Sequence, residues 1–181
     1  NMQNQGLGRK LMEGIEVLAK KLSVELLYLV GIKGFYKSLG FKTSMQRSKI
    51  LLNHTELPTG PSSSVQAFDP SFKNDLVKSH KNLSNLFNLS AQRSCNDWKW
   101  LIEHATTSYY FYKPKVVLDE NDNFVGYFTN DPSDPGRLRE VVYHLEDQCV
   151  DAFLCGLQKY SADHKIGQLQ IMTPPYSPLY N

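Results

Sequence analysis

The chain has 181 residues, of which 41% are hydrophobic and 21% charged. This is enough apolar material for one core or two small ones. Twenty basic residues against 18 acidic ones leave a net charge of +2. That is too mild for recognition of nucleic acid or anionic membrane by bulk charge, and no apolar run reaches the ~20 residues of a membrane span. No signal peptide opens the chain, and the three cysteines, Cys95, Cys149 and Cys155, show no CxxC spacing. They read as free buried thiols of a reducing, cytoplasmic compartment.

In chain order, a polar, glycine-containing segment from Asn1 precedes an amphipathic helix over Leu7–Leu22. Its apolar stripe is Leu7, Leu11, Ile15, Leu18 and Leu22. The apolar run Val24–Val30 predicts a buried strand. After the connector Gly31–Gly34, a helical stub over Phe35–Leu39 ends at Gly40, a suitable C-cap. Phe41–Leu52 predicts a further strand or strand pair. Leu57–Ser64 (LPTGPSSS) has the composition of a linker. Beyond it the pattern predicts a strand at Val65–Phe68 and helices over Pro70–Leu89 and Arg93–His104. Strand-like segments follow at Tyr109–Tyr112 and Lys115–Leu118. The acidic turn Asp119–Asn123 then makes a hairpin with Phe124–Thr129. Asp131–Gly136 reads as a polar loop, Leu138–Leu145 as a strand and Glu146–Ser161 as a helix. Gln168–Met172 is a last strand before a proline-rich tail. The order predicts mixed α/β layers, divided into residues 1–56, a linker at 57–64 and residues 65–181.

Two motifs carry chemistry. Gln3-Asn4-Gln5-Gly6-Leu7-Gly8 runs straight into the first helix. Closely spaced glycines let backbone N–H groups converge where the positive end of a helix dipole points, which suits a pyrophosphate. The second motif is Gly34-Phe35-Tyr36-Lys37-Ser38-Leu39-Gly40-Phe41, one expected strand later.

Together these motifs resemble the acetyl-CoA site of the GNAT N-acetyltransferases, in which Q/R-x-x-G-x-G/A cradles the cofactor pyrophosphate and an F-Y-x-x-x-G-F segment follows the next strand. The matching residues are Gln3, Gly6 and Gly8, then Phe35, Tyr36, Gly40 and Phe41. The short link Gly31–Gly34 is similar to that of the Eis-like branch, whose catalytic domain is followed by a second, degenerate GNAT-like domain. Arg93-Ser94 ahead of Trp98-Lys99-Trp100, the Val125-Gly126-Tyr127 hairpin and the Leu138-Arg139-Glu140-Val141 strand resemble that second domain.

The resemblance implies an acyl-CoA N-acyltransferase-like fold and direct transfer of acetyl from acetyl-CoA to an amine. Tyr36 falls at the position of the tyrosine that protonates the departing thiolate, a role suited to a phenol that stays protonated at neutral pH. Backbone from Gln5 through Gly6, Leu7, Gly8, Arg9 and Lys10 would bind the pyrophosphate, with Gln3 and Phe35 beside it. The strands that hold the amine acceptor in this family have no counterpart before Gln3. The resemblance therefore implies the second half of a catalytic domain followed by the second domain. A half-domain of roughly 50 residues cannot bury a full core alone. Its exposed strand edge calls for the second domain or another chain, including a second copy in a homo-oligomer. A non-catalytic CoA-binding or assembly module is the alternative, and another phosphate ligand on the same glycine loop is a second. None of His54, His80, His104, His144 and His164 stands at H-x-x-H or H-x-x-x-H spacing, so no metal is expected. No nucleic-acid or membrane partner is expected either.

Overall fold

Val116, Val117 and Leu118 lead into Asp119, whose Oδ1 accepts the backbone N–H groups of Asn121 and Asn123 at 2.8 and 2.9 Å. That Asx turn reverses the chain, so β3 (Lys115–Leu118) pairs antiparallel with β4 (Phe124–Asp131). A computed structural model describes residues 6–27, 29, 34–43, 48–60, 63–87, 92–104 and 113–173. The expected strand over Tyr109–Tyr112 and the proline-rich tail beyond Thr173 lie outside them.

The chain forms two compact units, residues 1–46 and 47–181. In the first, α1 spans Leu7–Lys21, and a short 3-10 turn spans Tyr36–Leu39, ending at Gly40 with φ 90°. The stripe of α1 is solvent-facing: Leu11 is 66% exposed, and Ala19 is the buried residue of the helix. Val24–Leu27 and Leu29 form no strand, contrary to the expectation from their apolar run. Tyr28, Val30 and the 31–33 link lie outside the described residues.

The second unit is a six-stranded sheet in the order β1-β6-β5-β4-β3-β2. Its remaining strands are β1 (Ser48–Asn53), β2 (Ser64–Ala67), β5 (Asp134–Tyr143) and β6 (Gln168–Thr173). Only β5 and β6 are parallel, and they touch over Arg137↔Gln170 and Leu138↔Ile171. The connection between them is α4 (Asp147–Asp163), while α2 (Lys73–Ser84) and α3 (Cys95–Glu103) precede β3. Ser94 and Asp97 close a capping box at the start of α3.

Two cores lie on opposite faces of the sheet. On the α4 face, Phe153, Leu157 and Tyr160 pack on Val117, Phe128, Leu138 and Ile171. On the other, Leu76 of α2 and Trp98 of α3 pack on Tyr127 and Val142. This makes a three-layer α/β/α arrangement, the mixed α/β class expected from the order of elements. Trp98 is 2% exposed and Trp100 52%, as their two-residue separation on one helix requires.

The structure departs from the expected organisation in three further places. Of the strand expected within Phe41–Leu52, the described part is Ser48–Asn53, with residues 44–47 outside the described residues, and its antiparallel ladder with β6 makes it part of the second unit. The division therefore falls at 46/47, and the segment expected as a linker is anchored: Leu57 and Ser63 are buried and Ser64 begins β2. The expected loop Asp131–Gly136 is a tight hairpin in which Asp131 pairs with Asp134. There Asp131 Oδ1 accepts from Ser133 N and Oγ, at 3.1 and 2.7 Å. The cysteines are free as expected, but only Cys155 is buried, with Cys149 half-buried and Cys95 exposed. Among the described residues no helix is long and apolar enough to cross a membrane.

Candidate functional site

Gly6 is the N-cap of α1 and sits at φ 71°, ψ 6°, a left-handed conformation that strains any residue with a Cβ. Among the described residues no side chain caps the helix, and its first turn contains no acid. The amide N–H groups at that end therefore keep their capacity to bind an anion, reinforced by the helix dipole. Arg9 and Lys10 stand in the same turn, both exposed. Gln3 and Gln5 lie outside the described residues.

The two sequence motifs meet at Gly8. A Cβ placed there would lie 3.1 Å from Cζ of Phe35, so the absence of a side chain is what lets the aromatic ring reach the first turn of α1. Phe35 packs edge-on to Tyr36 with ring centres 5.0 Å apart, and Tyr36 packs edge-on to Phe41 at 6.0 Å. The Ser38 hydroxyl donates to Phe35 O at 2.7 Å, and Phe41 N donates to Tyr36 O at 3.2 Å, fixing the turn that presents these rings. The half-buried Tyr36 is thus held between two aromatic residues beside an uncapped helix start. Further along α1, Ala19, Lys20, Leu39 and Phe41 help line a cavity of about 340 Å3.

The second unit contains a β-α-β element of the kind that often carries ligands at the carboxyl ends of its strands. β5 and β6 pair in parallel over Arg137↔Gln170 and Leu138↔Ile171, and β5 leads into the start of α4. The chemistry of that start is the reverse of the one at α1. Glu146 is the N-cap of α4, Asp147 lies in its first turn, and no glycine stands between Tyr143 and Asp147. These carboxylates satisfy the helix dipole themselves and repel a polyanion. A nearby cavity of about 520 Å3 is also acidic, with Asp119, Glu120 and Asp151 in its wall.

Three stretches recognised separately in the sequence form one largely buried polar group. Arg93 donates to both oxygens of Glu140, at 2.8 and 2.6 Å, and the Tyr127 hydroxyl donates to Oε1 of Glu140 at 2.5 Å. The Arg93 guanidinium lies 4.8 Å over the Trp98 ring, against which His80 packs edge-on. Burial pushes the Glu140 carboxyl up, but the Arg93 hydrogen bonds and charge outweigh it and hold the group below the usual carboxylate range. Burial, then the Glu140 charge, drives the Tyr127 phenol well above its ordinary value, so it remains a donor. The group has its partners inside the core and reads as structural. Ser161 contacts His54 Nδ1 at 2.8 Å but is fully buried and donates to Gln158 O, which rules it out as an accessible nucleophile.

No family model matches the sequence, and no curated protein matches it. Among solved structures, the chain is similar to a conserved protein of unknown function from Enterococcus faecalis V583, a probable N-acyltransferase. The TM-score is 0.61 at 13% identity, over 93% of this chain and 43% of that one. The L-PGS of Bacillus licheniformis aligns with a TM-score of 0.43 at 12% identity, over 74% of this chain and 50% of that one. The chain thus spans less than half the length of the Enterococcus protein. The likeness to that protein shows the fold, which is acyl-CoA N-acyltransferase-like.

Proposed function

We propose that the chain belongs to a GNAT N-acetyltransferase of the Eis-like kind, with the acetyl-CoA site at the start of α1 and a second unit that does not bind CoA. The observation that carries the reading is the meeting of the two motifs at Gly8, where a glycine-capped, acid-free helix start lies against the Phe35-Tyr36 turn. The acidic, glycine-free start of α4 supports the assignment of the second unit as a degenerate partner, because a helix start of that kind repels a pyrophosphate. The likeness to a probable N-acyltransferase extends over 93% of this chain. The exposed stripe of α1 fits a unit completed by further strands in a longer protein.

In this reading the α1 amides and Gly6 hold the pyrophosphate of acetyl-CoA, the cosubstrate, and Phe35 packs beside it. A neutral amine attacks the thioester carbonyl, the C–S bond breaks, and the electron pair leaves on sulfur. Tyr36 donates its phenolic proton to that thiolate, and the proton lost by the amine restores it through solvent. Acetyl passes directly to nitrogen without an acyl-enzyme.

Calorimetry of the full chain with acetyl-CoA tests the site. Saturable binding is expected, and Gly8→Asp is expected to abolish it, because the variant adds both a clash with Phe35 and a negative charge where the phosphates sit. ATP bound as tightly as CoA would instead favour a general phosphate site, and silence with both would favour a pure assembly module. In a longer, active form of the protein, Tyr36→Phe is expected to lower kcat while leaving acetyl-CoA affinity nearly unchanged. Unaltered kcat removes Tyr36 from the mechanism.

A further inference from the structure

The loop that enters α4 gathers three chemically different metal donors. A ring nitrogen of His144, a carboxylate oxygen of Glu146 and Sγ of Cys149 lie within 4.8 Å of one another. Their sequence pattern is H-x-E-x-x-C, which a search for paired histidines passes over. We infer that these three residues bind a thiophilic divalent cation, and that zinc is its natural occupant.

Backbone hydrogen bonds hold the segment that carries the cluster. His144 N donates to Val125 O at 2.9 Å, tying the loop to β4, and Glu146 O accepts from Cys149 N and Val150 N at 2.8 and 3.0 Å in the first turn of α4. These bonds put the Glu146 and Cys149 side chains on one turn and the His144 ring next to them. The ring is also oriented from behind. Its Nε2 is 2.8 Å from Oγ of the buried Ser79 on α2, a contact that fixes the ring. Metal-binding histidines are commonly fixed in this way, with the second nitrogen donating to a protein oxygen.

Charge favours a cation here. Glu146 supplies a carboxylate within the cluster, and Cys149 borders a cavity whose wall also contains Asp119, Glu120 and Asp151. Tetrahedral zinc with bonds of about 2.0–2.3 Å places its donors roughly 3.5 Å apart, so binding requires the side chains to close by about 1 Å. Thiolate and imidazole select zinc over magnesium and calcium. Three protein donors leave a fourth position for water, as in exchangeable zinc sites.

Cobalt(II) titration of the reduced, chelator-treated full chain is the direct test. One equivalent is expected to bind with a near-ultraviolet thiolate-to-cobalt charge-transfer band that zinc displaces and that magnesium and calcium do not. Cys149→Ser is expected to abolish the band, and Cys95→Ser, at an exposed position at the start of α3, to leave it intact. Ser79→Ala should weaken zinc binding about tenfold through loss of ring orientation. Glu146→Gln changes an exposed side chain, so it should keep the fold, and it is expected to weaken zinc tenfold or more. Absence of one-to-one binding overturns the assignment, as does zinc affinity unchanged in both Glu146→Gln and His144→Gln.

Discussion

Glu140→Ala is expected to remove about 3 kcal/mol or more from the stability of the second unit, read as the shift in a urea midpoint at constant slope. The Arg93 and Glu140 side chains are only 19% and 17% exposed, so Arg93 would keep a poorly hydrated charge without its counter-ion. Tyr127, fully buried, would lose the acceptor of its hydroxyl at the same time. The effect should depend on the broken pair more than on the lost volume. Arg93→Met combined with Glu140→Met is therefore expected to cost less than Glu140→Ala alone, because neither charge is then stranded. A Glu140→Ala midpoint indistinguishable from the parent would show that the ion pair is a passenger.

The same pair sets an acid limit. The folded Glu140 carboxyl titrates below its ordinary value of 4.5, so its stabilisation is complete above that value and is lost as pH falls through the folded one. Asp131 adds to the trend. Hydrogen bonds from Ser133 and Arg139 hold it at about 2, against an ordinary 3.8. Stability is expected to decline from about pH 4.5 downward, and the Glu140→Gln variant to show a shallower decline.

What could be read from the sequence followed how local each signal was. The helices α1, α2, α3 and α4 and the β3–β4 hairpin were legible because apolar period and turn residues act within a few positions. The place of β1 was not, because its partner β6 lies more than a hundred residues away and the run Lys49-Ile50-Leu51-Leu52 specifies a strand without specifying a neighbour. The run from Val24 misled for a related reason: apolar composition alone does not make a ladder. Pro132, Pro135 and Gly136 suggested a long loop, whereas the Asx turn at Asp131 closes the hairpin in two residues. At the candidate site, the motifs named the right neighbours, Gly8 and Phe35, but not the contact between them. Arg93 and Glu140 each belonged to a recognised stretch, and their opposite charges beside apolar neighbours were the available hint of a pair. Chemistry spread over unlike residue types, as in His144, Glu146 and Cys149, leaves no repeated letter to find.

Gly126→Ala is expected to be among the most damaging single-methyl additions in the chain. Leu118 pairs with Phe124 and Val117 with Gly126, so Val125 is the extra residue of a bulge, and the bulge turns position 126 toward α4. A Cβ there would lie 2.6 Å from Val142 O and 2.7 and 2.9 Å from the Phe153 ring. The carbonyl belongs to the central β4–β5 ladder and the ring is fully buried, so neither can yield cheaply. Overpacking of this kind costs about 1–3 kcal/mol. The gain from a less flexible unfolded chain, about 0.4–1 kcal/mol, offsets only part of it. The two obstacles can be separated. Phe153→Leu removes the ring but not the carbonyl, so Gly126→Ala with Phe153→Leu should cost less than the sum of the two single changes, by about 0.5 kcal/mol or more. A remainder should persist, because Val142 O still blocks the new methyl. Strict additivity would mean that the ring moves aside at no cost and that the approach of α4 to β4 is looser than these distances describe.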